Sequence, residues 1–346
     1  MQVENTPHRA PELWFEDGNI VIQAENSQFR VHRGILAACS PVFQDMLSFP
    51  QPPDSDLVDG CPIVRLPDSA EEVDVFLKAL FQPNYFMPFP AKTEYAIIRG
   101  CLRLGNKYGV DHLRIRALVH LSSRYRTSLA EWDAVSYESV FRSSGQTPRP
   151  LSEIASWPKV TAFADGISLI QLAREVGALW LLPTAFYRLA SGWGNNLPEP
   201  GRDLLFERIQ TNLESPDLVA FVTGYGLQSQ AAAADMLLAI FLRPVNVPGC
   251  PSTESCTRLR IMAANFSREF LGMCPADPLK IEMWRIMLKE ENTRLEFCSV
   301  CGAALQEVHK AARQAFWDKL PSMYGLPPWE ELEKMKVEAI DTDWVS

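Results

Sequence analysis

The chain has 346 residues, of which 47% are hydrophobic and 22% charged, and its net charge is -9. That composition suits a globular protein with a sizeable core and leaves room for two domains. The acidic balance argues against a broad phosphate-binding face, so direct nucleic-acid binding is not expected.

Residues 1–12 are polar and proline-containing, lack an apolar run of signal-peptide length, and read as a flexible N-terminus. Asp17-Gly18 is a turn signal, after which Ile20 and Ile22 alternate with polar neighbours. Glu25-Asn26-Ser27 predicts a tight connection into a second strand carrying Phe29 and Val31. Beyond His32 the apolar residues Ile35, Leu36, Cys39, Val42 and Phe43 shift to helical spacing. Ser40-Pro41 restarts the chain there as an N-cap and first-turn proline, so two short helices are expected. Residues 48–62, rich in proline and aspartate, read as a surface loop. Ile63 to Leu66 reads as a third strand, and Ser69-Ala70-Glu71-Glu72 as a capping box opening a helix that buries Val73, Phe76, Leu77 and Leu80. From Thr93 onward the pattern is helical, including Leu104-Gly105-Asn106-Lys107-Tyr108-Gly109-Val110 with Leu113.

His32, Arg33, Leu36, Ala37, Ser40 and Phe43, followed in order by the third strand, the Pro67-Asp68-Ser69 helix start and the Leu104–Leu113 helix, resemble the BTB/POZ family. The resemblance covers Leu13 to Tyr125. It implies an α+β fold, a small sheet capped by helices, and a function in binding other proteins. Phe81-Gln82-Pro83-Asn84-Tyr85 departs from the family's usual sequence at that loop. These features divide the chain into a BTB/POZ domain at 13–125 and an all-helical region at 126–346, with a linker candidate at 143–150 and a second long connection at 192–201. Residues 1–130 are expected to fold independently.

In the helical region Ile167, Ile170, Leu172, Ala173, Val176, Leu179 and Leu182 recur at helical spacing, and Ser215-Pro216-Asp217 and Asp277-Pro278 each read as a helix start. From Leu218 to Leu242 only Asp235 is charged, but polar residues and glycines interrupt the middle, which favours buried helices over a membrane span. A protein of the nucleus or cytoplasm, neither secreted nor transmembrane, is therefore expected. The tail from Trp317 to Leu332 reads as a helix end followed by an apolar hook; with the long helical region it resembles a type of fungal BTB protein, a likeness that supplies architecture and no mechanism.

No glycine-rich phosphate loop, Gly-x-Ser-x-Gly elbow or His-Glu-x-x-His pair occurs in the sequence, so no enzymatic activity is expected. His32 lies at a strand-to-helix corner, and His112 and His120 read as exposed or packed imidazoles. Arg114, Arg116, Arg124 and Arg126 read as a solvated cluster. In many BTB dimers a first-strand aspartate and a base after the family histidine line a charged pocket. Here Asn19 and Arg33 occupy those places, making them candidate partner-binding residues whose ion pair is lost.

Cys298-Ser-Val-Cys301-Gly302 has the spacing of a metal knuckle, in which a turn aims two sulfurs at one ion. Cys256, Cys250, Cys274 or His309 could supply the remaining ligands; Cys256, Cys298, Cys301 and His309 form the set expected to hold a structural zinc, the alternative being that the pair is a buried turn. The expected function is a protein-binding scaffold, with self-association or a cullin among the partners. Two alternatives remain open: a substrate adaptor of a cullin-type ubiquitin ligase, and a zinc-stabilised transcriptional regulator.

Overall fold

The computed structural model describes residues 7–49, 57–134, 156–158, 163–194, 207, 209–210, 212–232, 247–262, 278–279 and 297–340. The expected linker at 143–150, the connection at 195–201, Cys274 and the apolar residues at 281–287 lie outside them.

The N-terminal half is built on a five-stranded sheet in the order β1-β3-β2-β5-β4, from β1 (His8–Trp14), β2 (Ile20–Ala24), β3 (Ser27–Val31), β4 (Leu57–Val58) and β5 (Cys61–Leu66). The expected hairpin is β2 against β3, antiparallel, with Ile20 opposite Val31 and Ala24 opposite Ser27. Its turn places Glu25 at φ 47°, a left-handed conformation that a two-residue turn requires. β5 lies parallel to β2 on the other side, with Val21 beside Ile63. The N-terminus departs from expectation. Residues His8–Trp14 form an edge strand parallel to β3, with His8 beside Ser27, and Leu13 fully buried. The mostly exposed strand with Pro11 carries little local strand signal; its order comes from pairing nineteen positions away in sequence.

Helices α1 (Arg33–Cys39), α2 (Pro41–Ser48), α3 (Ala70–Phe81), α4 (Tyr95–Tyr108) and α5 (Asp111–Ser122) cover the sheet. Ser40 caps α2, its Oγ accepting from the Phe43 amide at 3.0 Å, and Pro41 follows at the helix start. Ser69 caps α3 through the Glu72 amide at 3.3 Å, but Glu72 does not complete a capping box: its carboxylate accepts from Arg103 at 2.6 Å. A guanidinium offers it a charge-assisted bond that the Ser69 amide cannot match. Gly109 ends α4 at φ 68°, where a side chain would be strained. Phe43 stacks on Tyr108 at 4.7 Å between ring centroids, with Phe76 beside both, and Leu36 is fully buried in the same core.

The second half packs directly on α4 and α5. It comprises α6 (Phe163–Glu175), a 3-10 turn (Leu179–Leu181), α7 (Leu182–Gly194), α8 (Ser215–Ala231), the helical residues 253–262, α9 (Ser299–Met323) and α10 (Trp329–Ile340). The helix at Ser215 has Glu214 in the cap position, and Asp217 in its first turn pairs with Arg174 at 2.9 Å. Trp317 and Trp329 stack at 5.0 Å and 8°, and the Trp329 Nε1–H donates to the Trp317 carbonyl, closing the expected apolar hook. Trp180 Nε1–H donates to Ser122 Oγ at 3.0 Å, and Trp317 Nε1–H to the Thr127 carbonyl at 3.3 Å. No helix among the described residues is long and apolar enough to cross a membrane.

Leu36→Ala should destabilise the protein by about 2–5 kcal/mol, read as a lowered urea midpoint, because it opens a cavity at a fully buried core position. The fragment 1–130 should melt cooperatively but below the full chain, since it keeps the sheet-side core and loses the cover of Trp157 and Trp180; a non-cooperative, dye-binding product would show that the sheet-side core alone does not suffice.

Candidate functional site

Four cysteines converge where the helical residues 253–262 meet the start of α9. Cys298 is the N-cap of α9, and its sulfur accepts from the Cys301 amide at 3.4 Å. Cys301 lies in the first turn of the same helix, so the Cys-x-x-Cys spacing brings both sulfurs to one side of the helix start. Cys250 closes a turn in which its amide donates to the Val247 carbonyl at 3.1 Å and Gly249 sits at φ 82°. Cys256 follows on the helical stretch and is buried, like Cys301. All four sulfurs lie within 4.8 Å of one another, and those of Cys250 and Cys298 are 3.8 Å apart. A tetrahedral zinc tetrathiolate with Zn–S of about 2.3 Å has S···S edges of about 3.8 Å, so the cluster fits that ion after small adjustments.

The surroundings divide the four thiols: Cys250 is held below its ordinary value, Cys256 and Cys301 above it. Backbone amides donate to three of the sulfurs: Ser252 to Cys250, Cys298 to Cys256 and Cys301 to Cys298. The Ser252 amide holds the Cys250 thiol down at about 7, whereas burial pushes Cys301 up. The partial positive charge at the start of α9 also favours negative ligands.

The expected set of Cys256, Cys298, Cys301 and His309 is corrected at one position: the structure brings together the three cysteines with Cys250 in the fourth place. His309 lies eight residues beyond Cys301 on α9, about 12 Å further along the axis at 1.5 Å per residue, too far to share an ion. Burial beside Arg313 lowers its imidazole to about 3. Cys250 stands among the ligand candidates of the sequence, and its Gly249-Cys250-Pro251 context is a local turn signal for it.

Asn19 and Arg33 are brought together, though not as a charged pocket. Asn19 Oδ1 accepts from the Arg33 amide at 2.8 Å, so Asn19 caps α1 in place of His32, whose side chain makes no capping bond. The exposed Arg33 guanidinium donates to the Leu47 carbonyl near the end of α2, where a cation meets the negative end of the helix.

His120 is packed, one of the two readings expected of it, whereas the arginine cluster does different work from that expected. His120 is fully buried, with Nε2 2.9 Å from the Met87 carbonyl and Nδ1 2.6 Å from Ser156 Oγ. A carbonyl only accepts, so Nε2 carries the proton and Nδ1 accepts from the serine: a neutral ring, consistent with a pKa lowered by burial. The arginines are not a solvated stripe. Arg116 donates to the Phe86 carbonyl, and the buried Arg124 donates through Nε to the Trp157 carbonyl at 3.0 Å.

The family model for the BTB/POZ domain matches residues 15–121. That segment is a BTB/POZ domain. No curated protein and no solved structure matches the chain. The BTB/POZ domain is a protein-interaction fold, so protein binding in general is the function that the match supports, while β1 and the helical region lie outside the matched stretch.

Asn19→Ala should cost about 1 kcal/mol through loss of the α1 cap, and Arg33→Ala less, as paired urea titrations would show. Both His120 and His309 are held below their ordinary value in the folded chain. The unfolded chain therefore binds more protons below about pH 6.5, and stability present above that pH is lost as the pH falls toward the folded-state values. The urea midpoint should be lower at pH 5 than at pH 7, and His309→Gln should shrink the difference.

Proposed function

We propose that the protein is a non-catalytic interaction scaffold that associates with a second copy of itself through the α1–α2 face of its BTB/POZ domain. The observation that carries this reading is apolar exposure: Ile35 on α1 is 40% exposed, Val42 on α2 38%, and Phe49, just past the end of α2, 68%. Isolated exposed apolar residues are ordinary, but three on one helical hairpin favour an interface. Because β1 is paired with β3 of its own chain, association by exchange of that strand is not needed, and side-chain contact between the helical faces suffices.

Charged substitutions at Ile35 and Phe49 test this. Sedimentation of the native chain should give a dimer, and Ile35→Asp with Phe49→Asp should give a folded monomer. A native chain that stays monomeric at all attainable concentrations would overturn the reading. Affinity capture of the full chain would then show whether a cullin or chromatin factors join the assembly.

The second element is one structural zinc held by Cys250, Cys256, Cys298 and Cys301. An all-thiolate set suits zinc among available divalent ions, and four protein ligands leave no position for a substrate. Its effect would be to tie residues 247–262 to the start of α9. Elemental analysis of protein purified without added metal should give near one zinc per chain, with Cys301→Ser losing it and melting at a lower temperature; His309→Ala should keep it. Metal-free protein whose melt is unaffected by chelator would reduce the cluster to a packed group of thiols.

A further inference from the structure

The four sulfurs are not equivalent. Cys256 and Cys301 are buried, at 5% and 3% exposure, whereas Cys250 and Cys298 are only half-buried. The more accessible two are also the pair whose Sγ atoms stand 3.8 Å apart, and they belong to segments 48 positions apart in sequence. A small solute therefore reaches first the two sulfurs already placed to bond across the junction. A disulfide needs the sulfurs at about 2.0 Å, so closure asks for a shift of under 2 Å between a turn holding Gly249 at φ 82° and the N-cap of a helix.

We propose that the cluster is a peroxide-responsive clasp in which Cys250 and Cys298 are oxidised to a disulfide and the metal is released, while Cys256 and Cys301 remain thiols. The inference rests on the zinc reading above. One thiolate sulfur attacks a peroxide oxygen, the O–O bond breaks, and a sulfenic acid forms as the departing hydroxide takes a proton to become water. The second thiolate attacks that sulfur; the S–S bond forms, the S–O bond breaks, and the second hydroxide leaves as water with another solvent proton. Two thiolates lose two electrons in all, and one hydrogen peroxide is reduced to two waters. Only two thiolates then remain for zinc, fewer than a closed structural site uses. The clasp holds in both states, because the new covalent bond joins the same two segments that the ion had joined.

The test uses the full chain loaded with zinc, its content first fixed by elemental analysis. Stepwise hydrogen peroxide is added with a chromogenic chelator present, and the product is alkylated and mapped by mass spectrometry without reduction. The expected result is one zinc released per Cys250–Cys298 disulfide, with Cys256 and Cys301 alkylated, and recovery of zinc binding after dithiothreitol. Retention of zinc, or linkage of Cys298 to Cys301 or of either to Cys256, overturns the clasp while leaving the zinc reading intact. A chain that contains no zinc defeats both. Cys256→Ser separates the sulfur geometry from the metal: it should bind zinc weakly yet still form the Cys250–Cys298 bond, and failure to do so would show that the pair is not placed to react.

Discussion

The stretch from α5 to Trp132 is buried from two sides, and the arrangement of everything else follows from that. One side of α5 completes the BTB/POZ core with Leu113, Ala117 and Leu118; the other end, through Ser122, Tyr125, Leu129 and Trp132, lies under the helical region. The two halves therefore share one continuous set of buried residues. A helix buried on two faces cannot release either partner without exposing large rings, among them Trp157, which stacks between Tyr95 and Tyr125 at 5.7 and 6.1 Å.

Charges cross this seam, and each is compensated differently. Arg313 makes a two-pronged pair with Asp133 at 2.9 and 2.6 Å, the geometry in which a guanidinium recovers most of its lost hydration. Arg188 is half-buried, its guanidinium over the faces of Tyr125 and Trp132, at 5.2 and 4.6 Å, with one bond to the Arg124 carbonyl. Burial lowers its pKa, and the ring faces supply the compensating field. Such pairs add little net stability, because desolvation offsets most of the attraction, but removing one member leaves a buried charge alone. They favour this docking of the halves over any shifted one.

What was legible in the sequence was local chemistry. The β2–β3 turn and the Ser40 and Ser69 caps are each decided within a few residues, and the sequence names them; the break at Gly109, inside the single helix expected over Leu104–Leu113, is not among them. The misread features are decided at a distance. β1 is a strand only because β3 offers it an edge; Glu72 leaves its cap for guanidiniums on α4; the arginines after α5 look solvated until residues 156–158 and α7 lie over them. The candidate metal set shows the same division. Cys298 and Cys301 are a local pair and were found, whereas the choice between Cys250 and His309 depends on how a turn nearly fifty residues upstream meets a helix.

The cysteine cluster is constrained by what four thiols at this distance can become. Without an ion they cannot all ionise, because like charges within 4.8 Å repel strongly in a partly buried site. The group therefore stays largely protonated, binds a cation, or loses charge by oxidation. Each outcome acts locally. From Cys301 to Trp317 α9 rises about 24 Å, and its far end is fastened separately by the Thr127 carbonyl, Asp133 and Trp329. A change of state at the sulfurs therefore bears on the join between residues 247–262 and the start of α9, while the seam at α5 keeps its own contacts. Energetic effects of substitutions at the two places should add, as they do for sites that share no partners.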